Sequence, residues 1–267
     1  LKKHNNRHTI FPAIADALER KPDVVFITNP TSLHLPPALA AAKQNCHIFI
    51  TKPLSDTLDG VDELMRLVEK NKVTALVSYQ LRFHPLLQKI KQWLEEKKIG
   101  KILSVHAELS ERVTDFHPWE DYTISYASRK KLGGGPILSF SHEIDYLYWL
   151  FGKPEWIFSA GGTLSDLKID VEDTVKSIIQ FPNDIIASLH LDFLKRPPQR
   201  FLEIAGEEGR IYWDYFEKTL VCLPLAGKKT LIKEPADYER NMMHLDELKH
   251  FLRCIAKQEK PLTDLRQ

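Results

Sequence analysis

No run of about 18 apolar residues occurs in this chain of 267, so no segment reads as a membrane-spanning helix. Neither sign of charge is in excess. Lysine plus arginine number 37 and aspartate plus glutamate 36, a net charge of +1, so there is no electrostatic case for a nucleic-acid or anionic-membrane partner. Cysteine is scarce: Cys46, Cys222 and Cys254 lie far apart with no CxxC pair. That spacing excludes a disulfide framework and a zinc site and points to reduced thiols in a cytoplasmic protein. An HExxH metal motif is missing too, so no bound metal is expected. There is no internal repeat and no low-complexity linker. The glycines nowhere fall into the GxGxxG spacing that opens a dinucleotide-binding domain. The chain starts at Leu1 rather than methionine and stops soon after Lys260-Pro261-Leu262-Thr263 without a closing element, so an incomplete chain, missing sequence at both ends, is expected.

What is present is a βαβαβ rhythm in the first eighty residues. An amphipathic helix over residues 10–20 is broken by Lys21-Pro22-Asp23, and 24–28 is a continuous apolar strand, the pattern of a strand buried on both faces of a parallel sheet. An alanine-rich helix (35–44), a strand (47–50), a long helix (57–72) and another strand (74–78) follow. This is half of a doubly wound α/β domain. Ligands in such sheets sit beyond the carboxyl ends of the strands. The segments there are Asn29-Pro30-Thr31-Ser32-Leu33-His34, Thr51-Lys52-Pro53 and Tyr79-Gln80-Leu81-Arg82, all with polar groups suited to a cofactor.

A connecting helix (84–98) leads to a change of pattern. Residues 102–110 alternate like a half-exposed strand. Later strand-like runs at 155–163, 174–181, 185–193, 201–205, 210–215 and 219–223 are separated by turns such as Pro182-Asn183-Asp184, which predicts a mostly antiparallel sheet. A last amphipathic helix covers 243–255. Between these stands Gly133-Gly134-Gly135-Pro136-Ile137-Leu138-Ser139-Phe140-Ser141-His142-Glu143-Ile144-Asp145. Its glycines permit positive φ and close approach, and Ser139 or Ser141 can cap a helix that carries His142 at its start.

Several of these segments together resemble one family, the Gfo/Idh/MocA oxidoreductases. They are Pro22-Asp23-Val24-Val25, the loop from Asn29 to His34, Lys52-Pro53-Leu54, Arg82-Phe83, and the glycine triplet with His142 and Asp145. His117-Pro118-Trp119-Glu120-Asp121-Tyr122, Ser125-Tyr126-Ala127 and Val171-Glu172-Asp173-Thr174 resemble a subgroup associated with bacterial surface-sugar pathways. The resemblance implies α/β plus α+β architecture. Residues 1–82 would form a partial NAD(P)-binding Rossmann domain lacking its first βα unit. Residues 83–267 would form a C-terminal substrate domain whose open, mostly antiparallel sheet makes homo-oligomer contacts. It implies NAD or NADP as cofactor and hydride transfer at an alcohol carbon of a sugar, cyclitol or nucleotide-sugar derivative.

Removing hydride from an alcohol requires a base for the hydroxyl proton and a group that orients the oxygen. The family's lysine and histidine in these roles correspond to Lys52 and His142. Asn29, Pro30, Thr31, His34, Lys52, Pro53 and Gln80 would line the cofactor. Arg82, Tyr122, Tyr126 and Ser139 are candidates for the substrate, with Arg82 equally able to pair with an acid at the domain junction; Trp119 and His117 are weaker. Ser139, or Leu138 if the turn is one residue shorter, stands where the family carries an aspartate, and Thr51 where it carries a glutamate. Serine supplies neither charge nor a base near neutral pH; Glu143 or Asp145 would substitute only in part, Asp145 is expected to cap or pair locally, and a lower rate, a shifted pH optimum or no redox turnover is expected. A relative that binds a sugar metabolite without redox turnover is the alternative reading. Without a glycine turn for the pyrophosphate, this chain is expected to bind a dinucleotide weakly. The basic run Lys195-Arg196-Pro197-Pro198-Gln199-Arg200 reads as a solvated turn or a contact for a substrate phosphate.

Overall fold

The computed structural model describes residues 9–266. Its first body holds α1 (Ile14–Leu18), β1 (Val24–Ile27), α2 (Leu35–Lys43), β2 (His47–Thr51), α3 (Val61–Asn71) and β3 (Ala75–Ser78). The three strands form a parallel sheet in the order β1-β2-β3, with Val24 opposite His47 and Ile48 opposite Ala75. Ala38, Ala41 and Ala42 of α2 have no exposed surface and share one core with Ile48, Ile50 and Leu64. Two helices start later than their sequence pattern predicts. The residues before Ile14 are not helical, because Pro12 biases Phe11 away from helical backbone and Ala13 is extended. The helix expected from residue 57 begins only at Val61, after Gly60 turns the chain at φ +87°.

The second body holds α4 (Pro85–Glu95), β4 (Ile102–Ser110), α5 (Pro136–Ser139), α6 (Ser141–Phe151) and seven further strands: β5 (Trp156–Gly162), β6 (Thr174–Phe181), β7 (Ile185–Asp192), β8 (Gln199–Gly206), β9 (Gly209–Asp214), β10 (Thr219–Pro224) and β11 (Thr230–Lys233). They form one sheet in the order β11-β10-β9-β8-β4-β7-β6-β5, in which β4 and β7 run parallel and every other neighbouring pair antiparallel. Val105, Ala107, Leu189, Leu191, Leu202 and Ile204 point to the face covered by helices and pack with Leu87, Ile90 and Trp93 of α4 and Tyr146 and Leu147 of α6. The opposite face is open. Phe158, Ile178 and Ser188 are consecutive cross-strand neighbours there, and Phe158 is 67% exposed. The edge strand β11 has no counterpart among the predicted strands; at four residues its alternation is too brief to read.

Packing also ties the two bodies together. The last helix, α7 (Asn241–Lys257), lays Phe251 edge-on against Phe49 of β2 at 5.4 Å between ring centroids. Leu265 joins the core of the first body, and Val77 of β3 donates its N–H to the Thr263 carbonyl at 3.0 Å. The three parallel strands are thereby fixed against α7 and the residues that follow it.

Candidate active site

The glycine triplet is the joint between the two bodies. Gly133 and Gly135 have φ of +75° and +96°. A Cβ on Gly133 would lie 2.8 Å from Thr31 Cβ, and one on Gly134 would lie 2.5 Å from the Ala127 carbonyl oxygen. Only a residue without Cβ lets the backbone come this near the loop after β1. Pro136 then starts α5, and α6 follows with His142 in its first turn. The expected serine cap does not form: Phe140 occupies the N-cap of α6, and no side chain caps it. The Ser139 hydroxyl is instead buried without a hydrogen-bond partner.

Lys52 and Ser139 stand 87 positions apart in sequence, yet Lys52 Nζ donates to the Ser139 carbonyl. Lys52 is half-buried with its ammonium turned inward. Burial pulls its pKa down to about 8, an effect opposed by Glu143 and reinforced by Arg200. The His142 ring lies edge-on to Tyr79, 5.7 Å between centroids, and is 9% exposed. Burial holds its pKa well below the ordinary histidine value; Lys52, Arg200, His244 and Arg240 push in the same direction. The imidazole is therefore neutral at physiological pH. Its Nδ1 is sealed from solvent without a partner, which leaves Nε2 as the nitrogen able to meet a substrate.

The other predicted residues separate into groups. Asn29 Nδ2 donates to the Leu33 carbonyl at 2.8 Å, closing the Pro30–Thr31 turn. Thr31 is buried against Gly133. His34, only 1% exposed, has Nδ1 at 2.9 Å from the Pro53 carbonyl and Nε2 at 2.7 Å from the Asn29 carbonyl. Its ring thus ties two strand-end loops together and offers no nitrogen to a cofactor. Gln80 is buried in the turn after β3, and Pro53 is buried beside Lys52. Arg82 meets Asp145 in a buried, two-pronged ion pair, with Nη2 at 2.7 Å and Nε at 3.0 Å from its carboxylate oxygens, and donates through Nη1 to the Leu262 carbonyl. Of its two expected roles it takes the junction pair, and Asp145 pairs across 63 positions rather than locally. Tyr122 and Tyr126 pack against the core of the second body. The Tyr122 hydroxyl accepts from the Lys168 N–H at 3.4 Å, and burial raises the Tyr126 pKa. Trp119 is 78% exposed.

The partners of several charged residues around Lys52 and His142 are not readable from the sequence. Glu143, fully buried, accepts from Arg200 Nε at 2.6 Å through Oε1. Arg200 is thus a buried residue, although the run that contains it reads as a solvated turn. Its neighbour Arg196 is the exposed one and pairs with Asp115. On α7, Glu247 is fully buried and accepts from the Ser78 hydroxyl at 2.6 Å; burial pushes its pKa up to about 8. A cleft of about 1160 Å³ runs beside the site between α3, α6 and residues 263–266, but neither Lys52 nor His142 lines it. Among the described residues no three His, Cys, Asp or Glu side chains are placed to hold a metal ion.

Comparison with known proteins matches residues 4–79 to an oxidoreductase family model described as an NAD-binding Rossmann fold. Residues 87–212 match the Gfo/Idh/MocA C-terminal domain model. A 2,7-anhydro-N-acetylneuraminate hydratase of Escherichia coli is 26% identical over 212 residues, 77% of this chain and 55% of the relative. The chain thus spans about half the length of that relative. Myo-inositol 2-dehydrogenase of Thermotoga maritima is 27% identical over 252 residues, 90% of this chain and 71% of its own length. A solved levoglucosan dehydrogenase in complex with NADH superimposes with a TM-score of 0.86 at 21% identity, covering 95% of this chain and 76% of that one.

Proposed function

The chain belongs to the Gfo/Idh/MocA family of oxidoreductases, and from that premise we propose that the protein is an NAD(P)-dependent dehydrogenase or reductase acting at an alcohol carbon of a sugar, cyclitol or nucleotide-sugar derivative. The observation that carries this reading is the meeting of Lys52 with the α5–α6 turn that presents His142. The two side chains come from different bodies, one from a parallel-strand end and one from a glycine-delivered helix start. The names of the relatives, an inositol dehydrogenase and a levoglucosan dehydrogenase bound to NADH, support the substrate class and the cofactor.

The residues fit the nicotinamide end of such a cofactor. The loops bearing Asn29, Pro30 and Thr31, Lys52-Pro53 and Gln80 all leave the carboxyl ends of parallel strands, where this architecture places ligands, and the buried Ser139 hydroxyl beside them lacks a partner. When bound, the nicotinamide supplies the hydride acceptor or donor. The chain's own part is the proton and the oxygen. Lys52 as a cation holds the substrate oxygen and stabilises charge developing on it. His142, kept neutral by burial and by Lys52, takes the hydroxyl proton at Nε2 and returns it in the reverse direction. Arg82 acts on the site by fixing Asp145 and hence α6.

The exposed Phe158, Ile178 and Ile186 on the open sheet face support assembly with a second copy through that face. The three cysteines, all buried and unpaired, support a reducing, cytoplasmic setting. Titration of NADH and NADPH into the protein expressed from its complete coding region tests the core of the reading. Binding of one of them is expected, and no binding of either at millimolar concentration overturns it.

A further inference from the structure

Ser139 leaves the site without the carboxylate that hydride chemistry at a lysine–histidine pair would use, and the structure offers only two acidic side chains nearby on α6. Asp145 is fully engaged by Arg82. Glu143 is not. Its Oε1 accepts from Arg200, while Oε2 is buried with no partner. Arg200 is equally half-used. Its Nε serves Glu143, its guanidinium lies 5.0 Å over the Tyr215 ring, and its Nη2 is buried without a partner. A buried pair with an idle oxygen and an idle nitrogen is a poor stabilising device, because desolvation is incurred and only part of it is returned. It is well suited to set the field at a neighbouring charge in a site of low polarity.

The cation held against this segment is Lys52, whose Nζ donates to the Ser139 carbonyl four positions before Glu143. We propose that Glu143, held in place by Arg200, is the positioning carboxylate that keeps Lys52 charged, in the role that the serine at position 139 cannot fill. This rests on the reading of Lys52 and His142 given above. The charged and titratable groups around the lysine come from every element packed there. His142 and Glu143 are on α6, and Arg200 is at the start of β8. Arg240 precedes α7, and His244 lies in its first turn. Glu111 follows β4, and burial raises its pKa against the pull of Arg200 and Arg240. Glu143 is the acid that acts on Lys52 in this set, and Arg200 is the cation that acts against it. Removing the carboxylate while keeping its shape leaves Arg200 uncompensated beside the lysine. Removing the guanidinium leaves the carboxylate with Lys52 as its cationic partner. The two changes therefore move the proton affinity of Lys52 in opposite directions, which damage to packing does not do.

The test is competitive acetylation of the chain with limiting acetic anhydride across pH, with the Lys52 peptide quantified by mass spectrometry, since only the neutral amine reacts. E143Q is expected to lower the midpoint of Lys52 by about one pH unit or more, about tenfold in proton affinity, and R200Q to raise it. If E143Q does not fold, the sign of the R200Q shift decides alone. An unchanged midpoint in E143Q, a downward or absent shift in R200Q, or shifts of the same sign in both overturn the proposal. Turnover profiles of the same variants separate it from the functional reading beneath it. A Lys52 midpoint that moves while the pH dependence of turnover stays fixed removes Lys52 from the reaction and leaves the control of its charge by Glu143 standing.

Discussion

At the scale of single residues the proposed site rests on two side chains whose proton affinity burial lowers. With Lys52 near 8 and required as a cation, turnover is expected to fall as pH rises through about 8, because the protonated form is lost there. A pH–rate profile flat to pH 10 would remove the lysine from that role. Arg82 and Asp145 are charges of a different kind, buried to fix a helix rather than to react. Arg82→Ala strands the Asp145 carboxylate in the interior and is expected to cost about 3–5 kcal/mol in urea unfolding; a loss below about 1 kcal/mol would show that water solvates the pair. Neither partner of that pair, nor Glu143 with Arg200, could be matched from sequence, because each meets its mate 57 or more positions away and on another element. Lys52 and His142 were singled out because each lies beside a local punctuation mark, a proline at a strand end and a glycine triplet.

At the scale of elements, most strands and helices could be read from periodicity, and the misreadings have local causes. Pro12 and Gly60 delayed two helix starts that the apolar spacing alone placed earlier, and β11 is too short for alternation to register. The glycine turn was recognised, but its reason was not. Gly134 has no room for a side chain because the Ala127 and Tyr126 carbonyls stand against it. Gly134→Ala is expected to destabilise the fold by about 1–3 kcal/mol through that backbone clash, measurable as a lowered melting temperature. Helix α7 contributes a second element-scale test. Glu247 has a folded pKa raised to about 8, above its value in the unfolded chain, so the folded state holds its proton more tightly between about 4.5 and 8. Stability is therefore lost from this group as pH rises across that window. Relative to wild type, E247Q is expected to gain stability between pH 5 and 8, by at most roughly 1.4 kcal/mol per pH unit. Parallel melting curves for the two proteins over that range would contradict the assignment.

At the scale of the molecule, two bodies are joined by the glycine turn on one side and by α7 with residues 263–265 on the other, so the strand ends and the α6 start are held in one frame. The fold class was visible in the alternation of the first eighty residues and the strand spacing of the rest. What could not be read was the return of the C-terminal helix to the first sheet, since an amphipathic helix does not name the surface it covers. The open sheet face is the surface proposed above for self-association. Phe158→Glu together with Ile178→Glu is expected to yield monomers by sedimentation velocity where the wild type gives a larger species. The most direct test of the central claim is turnover by protein expressed from its complete coding region, with NAD or NADP and a panel of sugars, cyclitols and nucleotide sugars. Wild type is expected to oxidise or reduce a member of that panel, and Lys52→Met and His142→Ala to fall by about a hundredfold or more in kcat while still binding the cofactor. Turnover in both variants equal to wild type, or none by wild type with any substrate despite bound cofactor, would contradict it.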